Sequence, residues 1–156
     1  MTMIDKLATF CTATSVAASA GTALIGSQID LSTLTSRPGA GQPVYLVILP
    51  TTEIITGGNA GTIRFELASD STASIATDAT ATVICASPTY ATDGTDANDA
   101  QLKVGNVILC QPIDVRRSER YLGIRCVTVT TTTTAGAITA FLTTNPAAYL
   151  AYPNAI

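Results

Sequence analysis

The sequence predicts an all-β protein built as a two-sheet sandwich. No segment carries a sustained apolar repeat at helical spacing, and the abundance of Thr, Val, Ile and Gly works against long helices. Apolar runs of strand length recur along the chain instead, punctuated by Gly, Pro, Asn and Asp. The third observation is the chemistry of the surface. Only 12% of the residues are charged, against roughly 25% in an ordinary soluble domain, so Thr, Ser, Ala, Gly and Asn must supply the polar exterior. Val127 to Ala135, where six of nine residues are Thr, is the plainest case. Thr is β-branched, fits a pleated strand and leaves a hydroxyl outside. A surface with so little charge has given up most of its protection against association, and it reads as one that a partner covers.

Taken in order, Leu7 to Val16 and Thr22 to Leu31 read as strands flanking the small-residue turn Ala17 to Gly21, an opening hairpin. Thr35 to Gln42 is a loop punctuated by Pro38, Gly39 and Gly41. Pro43 then introduces Val44-Tyr45-Leu46-Val47-Ile48-Leu49, apolar on both faces and therefore central, with Pro50 as its stop. Gly57-Gly58-Asn59 turns the chain, and Ile63, Phe65 and Leu67 then alternate with Arg64 and Glu66 in a strand with one wet face. Ala79 to Ala86 is a further short strand and Ser87 to Ala100 a polar loop. Val104 to Gln111, Tyr121 to Thr130 and Ala137 to Thr144 complete the set. About eight strands at these spacings suit a jelly roll, which protects its edges in a chain of this size. Propellers and solenoids need a sequence repeat that is missing here. At 156 residues and 47% hydrophobic, a single sandwich domain over 1–156 is expected, with residues 1–10 and 145–156 as extended arms.

Charge and composition narrow the function. A net charge of −3 gives no general pull toward nucleic acid or an anionic membrane, so neither is expected as a partner. The absence of His removes the commonest general base, the usual Ser and Cys triads and most zinc hydrolase sites. Carboxylate-pair glycoside hydrolysis needs only Asp and Glu, which makes Glu53, Glu66 and Glu119 its candidates, but no Trp is present to stack on a sugar. The plainer reading has Glu53 in a loop and Glu66 facing solvent beside Arg64. P-loop, dinucleotide and H-E-x-x-H motifs are absent, and Gly39-Ala40-Gly41 is too short to cradle a phosphate. No catalytic residue, cofactor or metal is expected.

Cys11, Cys85, Cys110 and Cys126 are widely spaced, with no C-x-x-C pair, and read as buried small hydrophobes; a Cys110–Cys126 bridge between neighbouring strands is the alternative. Asp93-Gly94-Thr95-Asp96-Ala97-Asn98-Asp99 is the one stretch with the oxygen ligands that Ca²⁺ needs, but its spacing does not match an EF-hand, and turn chemistry explains it equally. Ala18-Ser19-Ala20 mimics a leader cleavage site, yet the stretch before it is poor in Leu and broken by Thr and Ser, and Phe10 before Cys11 spoils a lipoprotein site. No removed leader is expected.

The sharpest charge feature is Arg116-Arg117-Ser118-Glu119-Arg120 followed by Arg125, which places half of the eight basic residues within ten positions. Guanidinium forks in such a cluster suit carboxylates on a neighbouring subunit and fix register more than affinity. Pairing of Arg120 with Glu119 or the acidic loop of its own domain is the competing reading. Tyr149 and Tyr152, in a tail with Pro146 and Pro153, read as aromatic anchors of an arm lying across a neighbour, or of a strand folded back on its own sandwich. Arg116, Arg117, Glu119, Arg120, Arg125, Tyr149 and Tyr152 are therefore the candidate interface residues.

The run Ser118-Glu119-Arg120-Tyr121-Leu122-Gly123-Ile124, the earlier Gly41-Gln42-Pro43-Val44-Tyr45-Leu46-Val47 and Ile29-Asp30-Leu31 resemble, in this order, segments of small tailed-phage capsid cement, or decoration, proteins. Thr134-Ala135-Gly136-Ala137-Ile138-Thr139-Ala140-Phe141 is similar to their Ala/Gly/Thr-rich final strand. The chain departs from that pattern in the acidic insertion Asp93 to Asp99 and in the tail. The resemblance implies a structural protein made in the host cytoplasm and placed on the outside of the virion. There it would clamp neighbouring major capsid protein subunits as a homodimer or homotrimer. A receptor- or glycan-binding sandwich is the rival from another class, and the carboxylate-pair hydrolase is the enzyme rival.

Overall fold

Period-two alternation sets which side of each strand turns inward, and the inward sets meet in one core. The computed structural model describes residues 8–33, 42–58, 61–92 and 99–149, with the backbone alone for Arg117. Nine strands are seen among them: β1 (Thr9–Ser15), β2 (Gly21–Asp30), β3 (Val44–Thr56), β4 (Gly61–Asp70), β5 (Thr82–Ala86), β6 (Tyr90–Thr92), β7 (Leu109–Ile113), β8 (Tyr121–Val129) and β9 (Thr133–Thr143). One sheet has the order β1-β9-β3-β7 and the other β2-β8-β4-β5, with β6 also paired to β4, and all pairings are antiparallel. With β5 and β6 sharing one position, this is the strand order of a jelly roll. Val44, Leu46 and Ile48 of β3 and Ile138, Ala140 and Leu142 of β9 face Ile63, Phe65 and Leu67 of β4 and Leu122, Ile124 and Cys126 of β8 across a dry interior.

The all-β sandwich is as the sequence predicts; four local expectations are corrected. β1 and β2 are not a hairpin: β1 pairs with β9, β2 pairs with β8, and the connection crosses between sheets. Gly26 (φ +72) makes that crossing compact, because any Cβ there would strike the Phe10 carbonyl and the Cys11 side chain. Pro50 does not stop β3, which runs to Thr56. The Ile48 carbonyl faces β7 and accepts from Ile108 at 2.9 Å. Residue 50 points the same way two positions on, beyond the last β7 pair, so its missing N–H is not needed. Val104 is a 61% exposed loop residue, and the strand expected there is shifted to Leu109–Ile113. The polar stretch Ser87 to Ala100 holds the short strand β6.

Edge protection is intramolecular. β1 has register breaks between Thr9 and Cys11 and between Cys11 and Thr14, β2 has one between Ile25 and Ile29, and β5 slips opposite Leu67/Ala68. β7, the remaining edge, carries Pro112. Bulges and proline blunt an edge as charge would, so these edges carry their own protection.

All four cysteines are free thiols. Cys126 faces the core from β8, whereas Cys110 pairs with Val47 on the outer side of the other sheet, so the two do not form the alternative bridge. Burial pushes the thiols of Cys85 and Cys126 up to about 11.

Candidate functional site

The loops after β2, β4 and β7 gather at one end of the sandwich, and they bring with them most of the charge among the described residues. Among the described residues, five acidic side chains (Asp30, Asp70, Asp78, Asp114 and Glu119) and three arginines (116, 117 and 120) lie there. Arg120 Nε and Nη2 donate to the two Asp30 oxygens at 3.1 and 2.8 Å, joining residues ninety positions apart, and the guanidinium lies 4.9 Å from the Tyr121 ring centroid. The Leu31 N–H donates to the Arg120 carbonyl at 2.9 Å. Arg116 forms a second fork on Asp114 at 3.0 and 3.2 Å, while the Asp114 carboxylate also accepts from the Arg116 backbone N–H. Thr82 donates to Glu119 at 3.4 Å. The family-like segments Ile29–Leu31 and Ser118–Ile124 are thus bonded to each other, and β3 begins with Val44 paired to Ile113, the residue before Asp114.

These contacts fix protonation as well as position. The Arg120 guanidinium, with help from Ser32, holds the Asp30 carboxyl far below the usual carboxylate range. Asp70 is lowered by the backbone N–H groups of Ala76 and Thr72, and Asp78 by the Thr80 hydroxyl and N–H. Arg116 and Arg120 are raised in turn by their carboxylate partners.

Arg125 does not belong to this exposed group. It sits on the outer face of the β2-β8-β4 sheet at 5% exposure and donates through Nε and Nη2 to Glu66 Oε2 at 3.2 and 2.6 Å. Arg64 Nε and Nη2 hold the other Glu66 oxygen at 2.8 and 2.6 Å. The expected wet face of β4 is therefore dry at Glu66 and Ala68, because residues 71–81 fold over it as a strap. Arg125 Nη1 donates to the Ala76 and Asp78 carbonyls at 3.0 and 2.9 Å, Asp70 accepts from the Ala76 N–H at 3.0 Å, and Ile75 packs over Gly123, where a Cβ would leave it no room. With both Glu66 oxygens committed to guanidinium groups, Glu66 has no free lone pairs for a sugar or a water nucleophile. Glu53 lies on β3 in the other sheet.

The opposite end is built from hydroxyls. The turns at residues 15–21 and 56–61 and the hairpin 129–133 carry no charged residue. Thr128 and Thr133, read from sequence as surface cover, are buried and share a 2.8 Å hydrogen bond. Thr56 and Thr92 make a second, very short one. The Gly57 N–H donates to the Thr132 carbonyl at 2.8 Å, and Ala18 and Thr133 exchange backbone bonds, so all three turns are laced together.

Of the aromatic anchors, Tyr149 follows a 3-10 turn (Pro146–Ala148) and meets Phe141 of its own β9 edge-on at 4.8 Å, so its ring is not extended toward a neighbour. Tyr152 lies outside the described residues, as does most of the acidic loop. Asp99 accepts from the Ala91 N–H at 2.6 Å and so acts as a cap for β6. Among the described residues, no group of three or more acidic or Cys side chains could hold a metal.

The Asp30 partner of Arg120 and the strap over Glu66 were missed in the sequence. Asp70-Ser71-Thr72 is the one local signal for the strap, since Asp begins a turn there by accepting from the Thr72 N–H. A comparison with protein-family models matches residues 10–142 to the family described as Bbp16, a span that runs from β1 to β9. No curated protein matches the chain.

Proposed function

The chain belongs to the phage-related Bbp16 family, and from that membership we propose that it is a capsid cement protein: it binds the outside of a phage head, clamps neighbouring major capsid protein subunits and acts without turnover. The observation that carries the reading is the bonding of two family-like segments at the charged end, where Asp30 and Arg120 are joined across ninety positions. A capsid surface would meet forks already locked by their own carboxylates, so docking loses less side-chain freedom there than flexible arginines would. Charges of both signs in fixed places select register and partner, as a clamp at a local symmetry axis requires. Arg116, Arg117, Glu119 and Arg120 form the capsid-facing rim in this reading, and Arg125 supports it from beneath by holding the strap. The protein works on the virion exterior as a homo-oligomer, with multivalent contact raising the barrier to shell rupture.

Heads prepared with and without the protein and subjected to osmotic shock or heating test the proposal. Decorated heads retain their DNA under conditions that empty bare ones; equal survival of the two would overturn it.

A further inference from the structure

The strap of residues 71–81 rests on one line of residues along β8. Ile75 packs over Gly123, Arg125 Nη1 holds the Ala76 and Asp78 carbonyls, and Tyr121, on the same face, packs against the cluster of Ala68, Ile75 and Ala81. In register, Tyr121 lies between Asp30 of β2 and Asp70 of β4. Its ring serves two neighbours. The strap cluster packs against it, and the Arg120 guanidinium lies 4.9 Å from its centroid while gripping Asp30 through two hydrogen bonds. With its side chain 54% exposed, Arg120 depends on the ring and the carboxylate for its orientation. The strap itself is lightly anchored, since Ile75 and Ala81 are its buried side chains. A segment with so few apolar contacts opens at a smaller free-energy cost than the sheets beneath it.

We infer that Tyr121 is a positioning residue through which the strap sets the Arg120–Asp30 fork. With the strap closed, the ring is packed from the strap side and offers the guanidinium a fixed partner. With the strap open, the ring regains rotamer freedom and the fork keeps the carboxylate alone. Residues 71–81 thereby control the readiness of a charged group on a neighbouring loop without touching its partner. The coupling is reciprocal: whatever binds the ordered fork also favours the closed strap. As a control on capsid docking the inference rests on the cement reading, while the positioning of Arg120 does not.

Solvent exchange of the Arg120 Nε–H, followed by NMR in the whole chain, tests it, because that proton is donated to Asp30. Ile75→Ala removes the larger of the strap's buried side chains, and Gly123→Ala places a Cβ 2.5 Å from Ile75 Cδ1. Each is expected to quicken exchange of the Arg120 Nε–H by about threefold, the effect of losing a cation–π contact at an exposed site. Tyr121→Ala is expected to do the same, and Tyr121→Phe, which keeps the ring, to restore the wild-type rate. An Nε–H rate unmoved by both strap variants, or moved equally by Tyr121→Phe and Tyr121→Ala, would overturn the inference. Head binding is scored separately: a wild type that ignores heads removes the cement reading and leaves the positioning of Arg120 standing.

Discussion

The two ends of the sandwich solve the same problem, the capping of open turns, with different chemistry. At the charged end, carboxylates take up loop N–H groups and guanidinium groups tie loops from different parts of the chain. At the other, threonine hydroxyls bond one another and glycines let the turns approach, as at Gly61, where a Cβ would collide with Thr56 and Thr131. The difference shows that charge among the described residues is concentrated at one end and in the buried pair of Arg125 and Glu66. Where charge is absent, close packing of small groups does the structural work.

The sharpest way to break the comparison is through Arg125, the residue that links the charged loops to the sheet. Arg125→Ala leaves the buried Glu66 with a weaker partner and frees the strap, and a loss of about 3–5 kcal/mol in urea unfolding is expected from removal of one member of a buried pair. A loss below about 1 kcal/mol would mean that water reaches Glu66 and that the strap is dispensable. At the uncharged end, Gly61→Ala must displace the Thr56 and Thr131 hydroxyls, and overpacking of this kind costs about 1–3 kcal/mol by the same assay.

Acid separates the ends further. Asp30, Asp70 and Asp78 have folded carboxyls lowered from the ordinary 3.8, so below that value the unfolded chain binds more protons than the folded one. The stability these groups contribute is fully present above about pH 4 and is lost as pH falls toward their lowered values. Thermal melts should be level from pH 7 to about 5 and decline below about 4, with amide exchange quickening first in residues 71–81 and 114–120 and last in the threonine turns. The opposite order of exchange would contradict the assignment.

Smaller effects sharpen the picture. Thr130→Gly relieves the left-handed strain and is expected to stabilise the fold by about 1 kcal/mol. With native thiols at neutral pH, a disulfide reagent should label the half-exposed Cys110 first, because Cys11, Cys85 and Cys126 are buried, while desolvation raises all four thiols.

Much of this was legible in the chain. Alternation in Ile63, Phe65 and Leu67 and the doubly apolar Val44 to Leu49 place β4 and β3 in the middle of their sheets, and the turn residues mark most strand ends. What the sequence concealed was long-range. Period two says which residues share a face and not what covers it, so Glu66 and Arg125 read as surface charges until the strap is seen. The threonine run reads as solvent cover because a hydroxyl suits water and a buried hydroxyl partner equally well. The pairing of Arg120 with Asp30 depends on topology alone, since β2 and β8 become neighbours only once the jelly roll is formed.

Cosedimentation of the purified protein with undecorated expanded heads tests the central claim most directly, with the wild type compared against the doubly charge-reversed Arg116→Glu/Arg120→Glu chain. Cement binding through the charged end predicts saturation at a fixed ratio to capsid subunits, weakened in the variant. Absence of saturable binding by the wild type would contradict the account.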